Sequence, residues 1–145
     1  MNSMTPLEPT GLLKQQTIAE LRACNDLTAR FGLPLSETDI LSLAERRFEA
    51  LRDTDRIEFR EGVLKGLVYA FCDSPYVTGE NYADTMHELM DSFYYFKNES
   101  MDKISDEELI AYMKRHFDGE CQGSLEYLSG TTLEELCRNT RYGYE

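Results

Sequence analysis

The stretch NYADTMHELMDSFYYFK, Asn81 to Lys97, decides the fold class. Tyr82, Met86, Leu89, Phe93 and Phe96 recur at spacings of 4, 3, 4 and 3, the seam that an α-helix presents to a packed neighbour. Met90, Tyr94 and Tyr95 widen that face.

The helical period continues on both sides. Upstream, Val63, Leu64, Leu67, Val68 and Phe71 give a broad apolar face to a helix from about Glu61 to Cys72, expected to be central. Pro75 closes it, because its ring removes a donor and drives the preceding residue out of the helical region. Further back, Ser36 opens a helix with the stripe Ile40, Leu43, Ala44, Phe48 and Leu51, ending near Asp53. Thr17 to Glu20 has the capping-box form ahead of Ile18, Leu21, Cys24, Leu27 and Phe31, and Gly32 supplies a left-handed cap. Between Arg56 and Arg60, Ile57 and Phe59 alternate with charges and read as a short extended linker. Downstream, Ser105 to Glu108 forms a second capping box before Leu109, Tyr112, Met113, His116 and Phe117. The last helix is expected near Thr132, with Glu135 in the capping position, and Ser124 to Leu128 adds one further turn. The expectation is an all-α, single-domain bundle of about six helices over residues 12–145, in irregular orthogonal or up-down packing, behind a flexible arm of residues 1–11.

Composition agrees. The 145 residues hold 41% hydrophobic and 11% aromatic side chains, too many for charge-driven disorder. With 9 Gly and 4 Pro, the chain is short of the turns that a β-sandwich needs. The formal charge of −12 excludes a general basic field for nucleic acid or an anionic membrane surface. The N-terminus lacks a basic region followed by an apolar one, and the longest apolar stretch, Gly62 to Cys72, is 11 residues and holds Lys65, so a cytoplasmic protein is expected. Cys24, Cys72, Cys121 and Cys137 have neither zinc nor redox spacing and read as free packing thiols.

The charge is localised. Residues 73–108 carry ten acids against two lysines, a local charge of −8. Residues 45–60 balance five arginines (Arg46, Arg47, Arg52, Arg56, Arg60) against five acids, so salt bridges from these arginines to the acidic segment are expected rather than a nucleic-acid stripe. Candidate sites for chemistry fail on their own residues. HELMD, His87 to Asp91, is one letter from the zinc-protease motif, but Asp91 stands at the second histidine. Asp84 with His87 has di-iron spacing without matching partners elsewhere, and His116 has Met113 three residues before it instead of an acid. Of two loops of calcium-loop length, Asp73 to Asp84 has Pro75 and Val77 at ligand positions, and Asp118 to Ser129 ends on serine where a bidentate acid is needed.

The chain resembles an uncharacterised family of small acidic all-helical proteins from Firmicutes-type bacteria. The resemblance rests on CNxxTxRFGL (Cys24 to Leu33), AFCDS (Ala70 to Ser74), NYA (Asn81 to Ala83), FKNES (Phe96 to Ser100) and LEYL (Leu125 to Leu128). It implies a bacterial cytoplasmic helical domain and transfers no activity, ligand or catalytic residue. Asn25, Arg30, Asp73, Asn81, Asn98 and Glu99 within these motifs are expected to be caps and buried hydrogen-bond partners, with ligand-binding residues as the alternative.

The functional expectation is a non-enzymatic interaction or regulatory domain, without cofactor or metal, that uses an acidic, aromatic-rich helix surface over about residues 81–100. Glu88, Met90, Asp91, Tyr94, Tyr95 and Glu99 are its expected partner-binding residues, and the expected partner is a basic protein, with a homodimer as the variant of that reading. The alternative is a metal- or small-molecule-binding enzyme with a helical pocket around His87, Glu88, Asp91 or His116.

Overall fold

The computed structural model describes residues 9–58 and 62–142, with side chains from Leu13 onward. Residues 1–8 of the expected arm, and Phe59 and Arg60 of the expected linker, lie outside the described residues. Six α-helices follow one another: α1 (Pro9–Thr28), α2 (Glu37–Asp53), α3 (Val63–Phe71), α4 (Tyr82–Glu99), α5 (Asp106–Asp118) and α6 (Leu133–Arg141). The described residues contain no strand, and none of their helices is long and apolar enough to cross a membrane.

α4 is the hub and packs against α2, α3, α5 and α6, while α3 lies against α1, α4 and α5. The seam of α4 is inside as its spacing requires: Tyr82, Met86, Leu89, Phe93 and Phe96 are all buried. Phe71 of α3 meets Phe117 of α5 edge to face at 5.3 Å. Gly66 allows this close approach, since a Cβ there would stand 3.1 Å from Ile110 Cδ1.

The caps at Ser36 and Ser105 form as expected, the latter as a complete capping box with Glu108, and Gly32 adopts the left-handed conformation at φ 74° after a 3-10 turn, Ala29–Phe31. Two expected helix starts are corrected. α1 begins at Pro9, where the fixed φ of proline suits a first helical position. Thr17 is therefore mid-helix, and its hydroxyl donates to the Leu13 carbonyl at 3.0 Å instead of capping. Thr132 does not cap either, because the helix runs through it from Leu125. A single α turn, Leu125–Tyr127, passes into a π-helical stretch, Leu128–Thr132, and then into α6. The cause is the five-residue step from Leu128 to Leu133. Positions five apart lie ~140° around an α-helix, so one leucine would face water. In the π turn the Leu133 N–H bonds the Leu128 carbonyl, the two side chains stack on one face, and both are fully buried.

α2 holds a third correction. Its inner stripe includes Arg47, which is 2% exposed, in place of Phe48, which is half-buried with Lys14 over its ring at 4.9 Å and Arg52 at 5.9 Å. The guanidinium survives burial because Glu58 takes bonds from its Nε at 3.2 Å and Nη2 at 2.7 Å, and the Thr17 hydroxyl accepts from Nη1. Burial acts to lower the Arg47 pKa, but Glu58 outweighs it and holds the group above its ordinary value. Gly62 leaves the space, as a Cβ there would stand 2.5 Å from Arg47 Nη2.

Candidate functional site

Most polar residues of these motifs serve the fold, whereas Arg30 is exposed and makes no ion pair or side-chain hydrogen bond among the described residues. Asn25 clamps the chain beyond α1 by donating to the Leu35 carbonyl at 3.0 Å and accepting from its N–H at 2.9 Å. Asn81 closes the α3–α4 loop, accepting from Thr78 N–H and donating to the Tyr76 carbonyl. FKNES terminates α4 with every polar group engaged. Lys97, buried, donates to the Ile104 carbonyl and pairs with Asp106 at 3.0 Å. Asn98 accepts from Arg56 and donates to the Thr54 carbonyl. Glu99 accepts from Arg141 at 3.0 Å, and Ser100 donates to the Lys97 carbonyl.

The acidic segment is partly neutralised by bases remote in sequence. Asp73 pairs with Lys114 at 2.8 Å, Asp91 with Arg46 at 2.9 Å, Asp102 with Arg56 at 2.8 Å and Glu99 with Arg141. Two of the arginines expected to bridge to this segment, Arg46 and Arg56, do so, whereas Arg47 serves Glu58 and Arg52 pairs with its neighbour Asp53. Asp84 and Glu88 are exposed and have no ion-pair partner among the described residues.

The six expected partner-binding residues therefore separate. Met90 and Tyr94 are fully buried in the core and cannot touch a partner, which corrects their place on the surface. The 4,3 seam covers a wider arc than its five named residues, because α2, α3 and α6 enclose α4 on several sides. Glu88 is exposed, Asp91 is partly exposed, and Tyr95 stands 50% exposed. Glu99 is spent on Arg141. Asp84, Glu88, Asp91 and Tyr95 follow one another at i, i+4, i+7 and i+11, which lines them along a single outer face of α4.

Beside this face lies an open groove of about 580 Å³ between α4 and the 129–138 segment. Asp91, Ser92, Tyr95 and Phe96 form one wall, and Ser129, Gly130, Glu134 and Arg138 the other. The π stretch thus contributes directly to the groove through Ser129 and Gly130. No atom lies within 4 Å of where a Cβ on Gly130 would sit, so that position opens on free space.

The residues of the enzyme alternative do not converge. His87 Nε2 is 3.2 Å from Ser42 Oγ, while His116 Nδ1 donates to Glu120 at 2.6 Å and lowers the Glu120 pKa. Neither histidine lines the groove, and the described residues contain no group of three or more His, Cys, Asp or Glu able to hold a metal ion. In the calcium-like loop, Asp118 already accepts from Ser74 at 2.6 Å and pairs with Lys114 at 3.0 Å. The four cysteines are free and buried, and burial pushes the Cys137 thiol up to about 11.

The sequence model of a family of unknown function (DUF6323) matches residues 20–145. No curated protein and no solved structure matches the chain.

Proposed function

We propose, from the premise that the chain belongs to this family of unknown function, that it is a non-enzymatic interaction domain that docks a basic segment of another protein along the outer face of α4. The observation that carries this reading is Tyr95, a large ring half in solvent at a groove whose walls also hold Asp91 and Glu134. Asp84 and Glu88 continue the face with carboxylates that lack a counter-charge among the described residues. Such a face steers a cationic partner electrostatically and gives it an aromatic anchor on arrival.

The test is affinity capture from an extract of the source organism with three baits: the natural chain, an Asp84→Asn/Glu88→Gln variant, and Gly130→Leu. The Cβ of a leucine at 130 enters open space, and its side chain adds apolar bulk to the groove wall. The expected result is a partner held by the natural chain and lost by both variants. A partner set unchanged across the three baits overturns the reading.

A further inference from the structure

Several aromatic rings elsewhere on the molecule carry a cation of their own. Lys14 lies 4.9 Å from the Phe48 centroid, Lys65 is 5.7 Å from that of Tyr69, Arg115 is 5.4 Å from that of Tyr112, and Arg141 is 5.6 Å from that of Tyr142. At Phe48 the set is complete, since Lys14 also meets the Glu45 carboxylate at 2.8 Å. Tyr95, like the exposed Phe31, Tyr76 and Tyr127, has no such cation among the described residues, but of these rings it is the one that lines the groove with Asp91 and Glu134. Phe96 meets its ring edge-on at 4.8 Å and 89°, and among the described residues no cation stands over it. Asp91 bonds Arg46 through Oδ1, leaving Oδ2 without a bond among the described residues, and Glu134 has no ion pair or side-chain hydrogen bond among them. Arg138 lines the groove too but lies outside cation–π range of Tyr95.

We infer that the groove is an arginine-binding site, filled by a guanidinium from a partner protein that lies over the Tyr95 ring and forks its N–H groups to Asp91 Oδ2 and Glu134. The inference rests on the docking reading above and names the side chain that the docked segment carries. Arginine suits the site better than lysine on two counts. Its planar group stacks on an aromatic face, and its fixed donors serve two carboxylates at once, while an ammonium is a compact and more strongly hydrated point charge.

The probes are three end-capped glycine–serine peptides, identical except for three arginines, three lysines or three citrullines, titrated into the full-length chain labelled with 15N. Citrulline keeps the planar shape and loses the charge. The arginine peptide is expected to bind about tenfold more tightly than the lysine peptide and to shift the amide signals of residues 91–96 and 129–138, with no binding by the citrulline peptide. Tyr95→Leu is expected to bring the arginine and lysine affinities together while leaving both salt-sensitive. Equal affinities in the natural chain, or an arginine preference that survives Tyr95→Leu, overturn the inference. Should Tyr95→Leu fail to fold by circular dichroism, Glu134→Gln takes its place, and an unchanged arginine preference there has the same meaning. Failure of the docking reading is a separate outcome, seen when extract partners persist on Gly130→Leu whatever the peptides do.

Discussion

Arg47 of α2 and Glu58, on the crossover to α3, form an ion pair inside the molecule: the side chains are 2% and 14% exposed and joined at 3.2 and 2.7 Å. The pair ties the crossover to the core between α1 and α4, because Thr17 accepts the remaining Arg47 bond and Tyr94 packs close enough to sense both charges.

Breaking one side of this pair strands a charge where water cannot reach it. Glu58→Ala is therefore expected to lose about 3 to 5 kcal/mol of folding stability, which corresponds to a melting point lower by about 10 °C or more. The double variant Arg47→Met/Glu58→Leu removes both charges and is expected to recover most of that loss. Urea unfolding of the three proteins checks the order, and a double variant as unstable as Glu58→Ala would show that the charges themselves stabilise the fold.

Alkaline pH tests the buried hydroxyls and thiols. Burial pushes Tyr82 up to about 12 and Cys137 up to about 11, and it raises Tyr94 as well. In the unfolded chain these groups ionise near their ordinary values of 10.0 and 9.0. Native protons are thus held more tightly, so this contribution to stability is complete below pH 9 and falls as pH rises from there towards 11 and 12. Each group steepens the loss by up to ~1.4 kcal/mol per pH unit. The Tyr82 hydroxyl has no hydrogen-bond partner among the described residues, so Tyr82→Phe is expected to change stability at pH 7 by less than about 1 kcal/mol. It is also expected to flatten the decline above pH 10, measured by urea unfolding at pH 7, 9 and 10.5 alongside phenolate absorbance.

The π turn yields a prediction by deletion. Removing Thr131, which is exposed, places Leu128 and Leu133 four apart, the spacing that puts both on one face of an uninterrupted α-helix. The shortened chain is expected to keep its helical content and to melt within a few degrees of the natural one. Removing His87 from the middle of α4 instead leaves the buried Met86 and Leu89 two apart, on opposite sides of the helix, and is expected to unfold the domain. Circular dichroism melts of the two deletions decide it, and equal damage from both would refute the leucine spacing as the cause of the turn.

Most of the secondary structure was legible because its signals are local. The seam of α4, the caps at Ser36 and Ser105 and the left-handed Gly32 each depend on residues within one or two turns. Local signals misled where a polar side chain had a distant use. Thr17 looked like a cap and is an acceptor for Arg47, thirty positions away. Arg47 itself carried a readable sign, since it stands at i+7 and i+3 from the buried Ile40 and Ala44, but its charge argued against a place in the core until Glu58 was seen beside it. The five-residue step from Leu128 to Leu133 was likewise visible as a break in the helical period, though only burial of both leucines shows that the helix widens rather than stops.

By itself the sequence determined an all-helical chain with a charge of −12 concentrated around one helix, because helical period, capping and charge count are properties of neighbours along the chain. Tertiary structure decided which part of that helix is available. Burial by α2, α3 and α6 took Met90 and Tyr94 into the core, bases more than forty positions away paired with Asp91 and Glu99, and the π turn lines a groove against the one ring of α4 left outside, Tyr95. Those outcomes depend on contacts between segments far apart in sequence, which a local pattern does not encode.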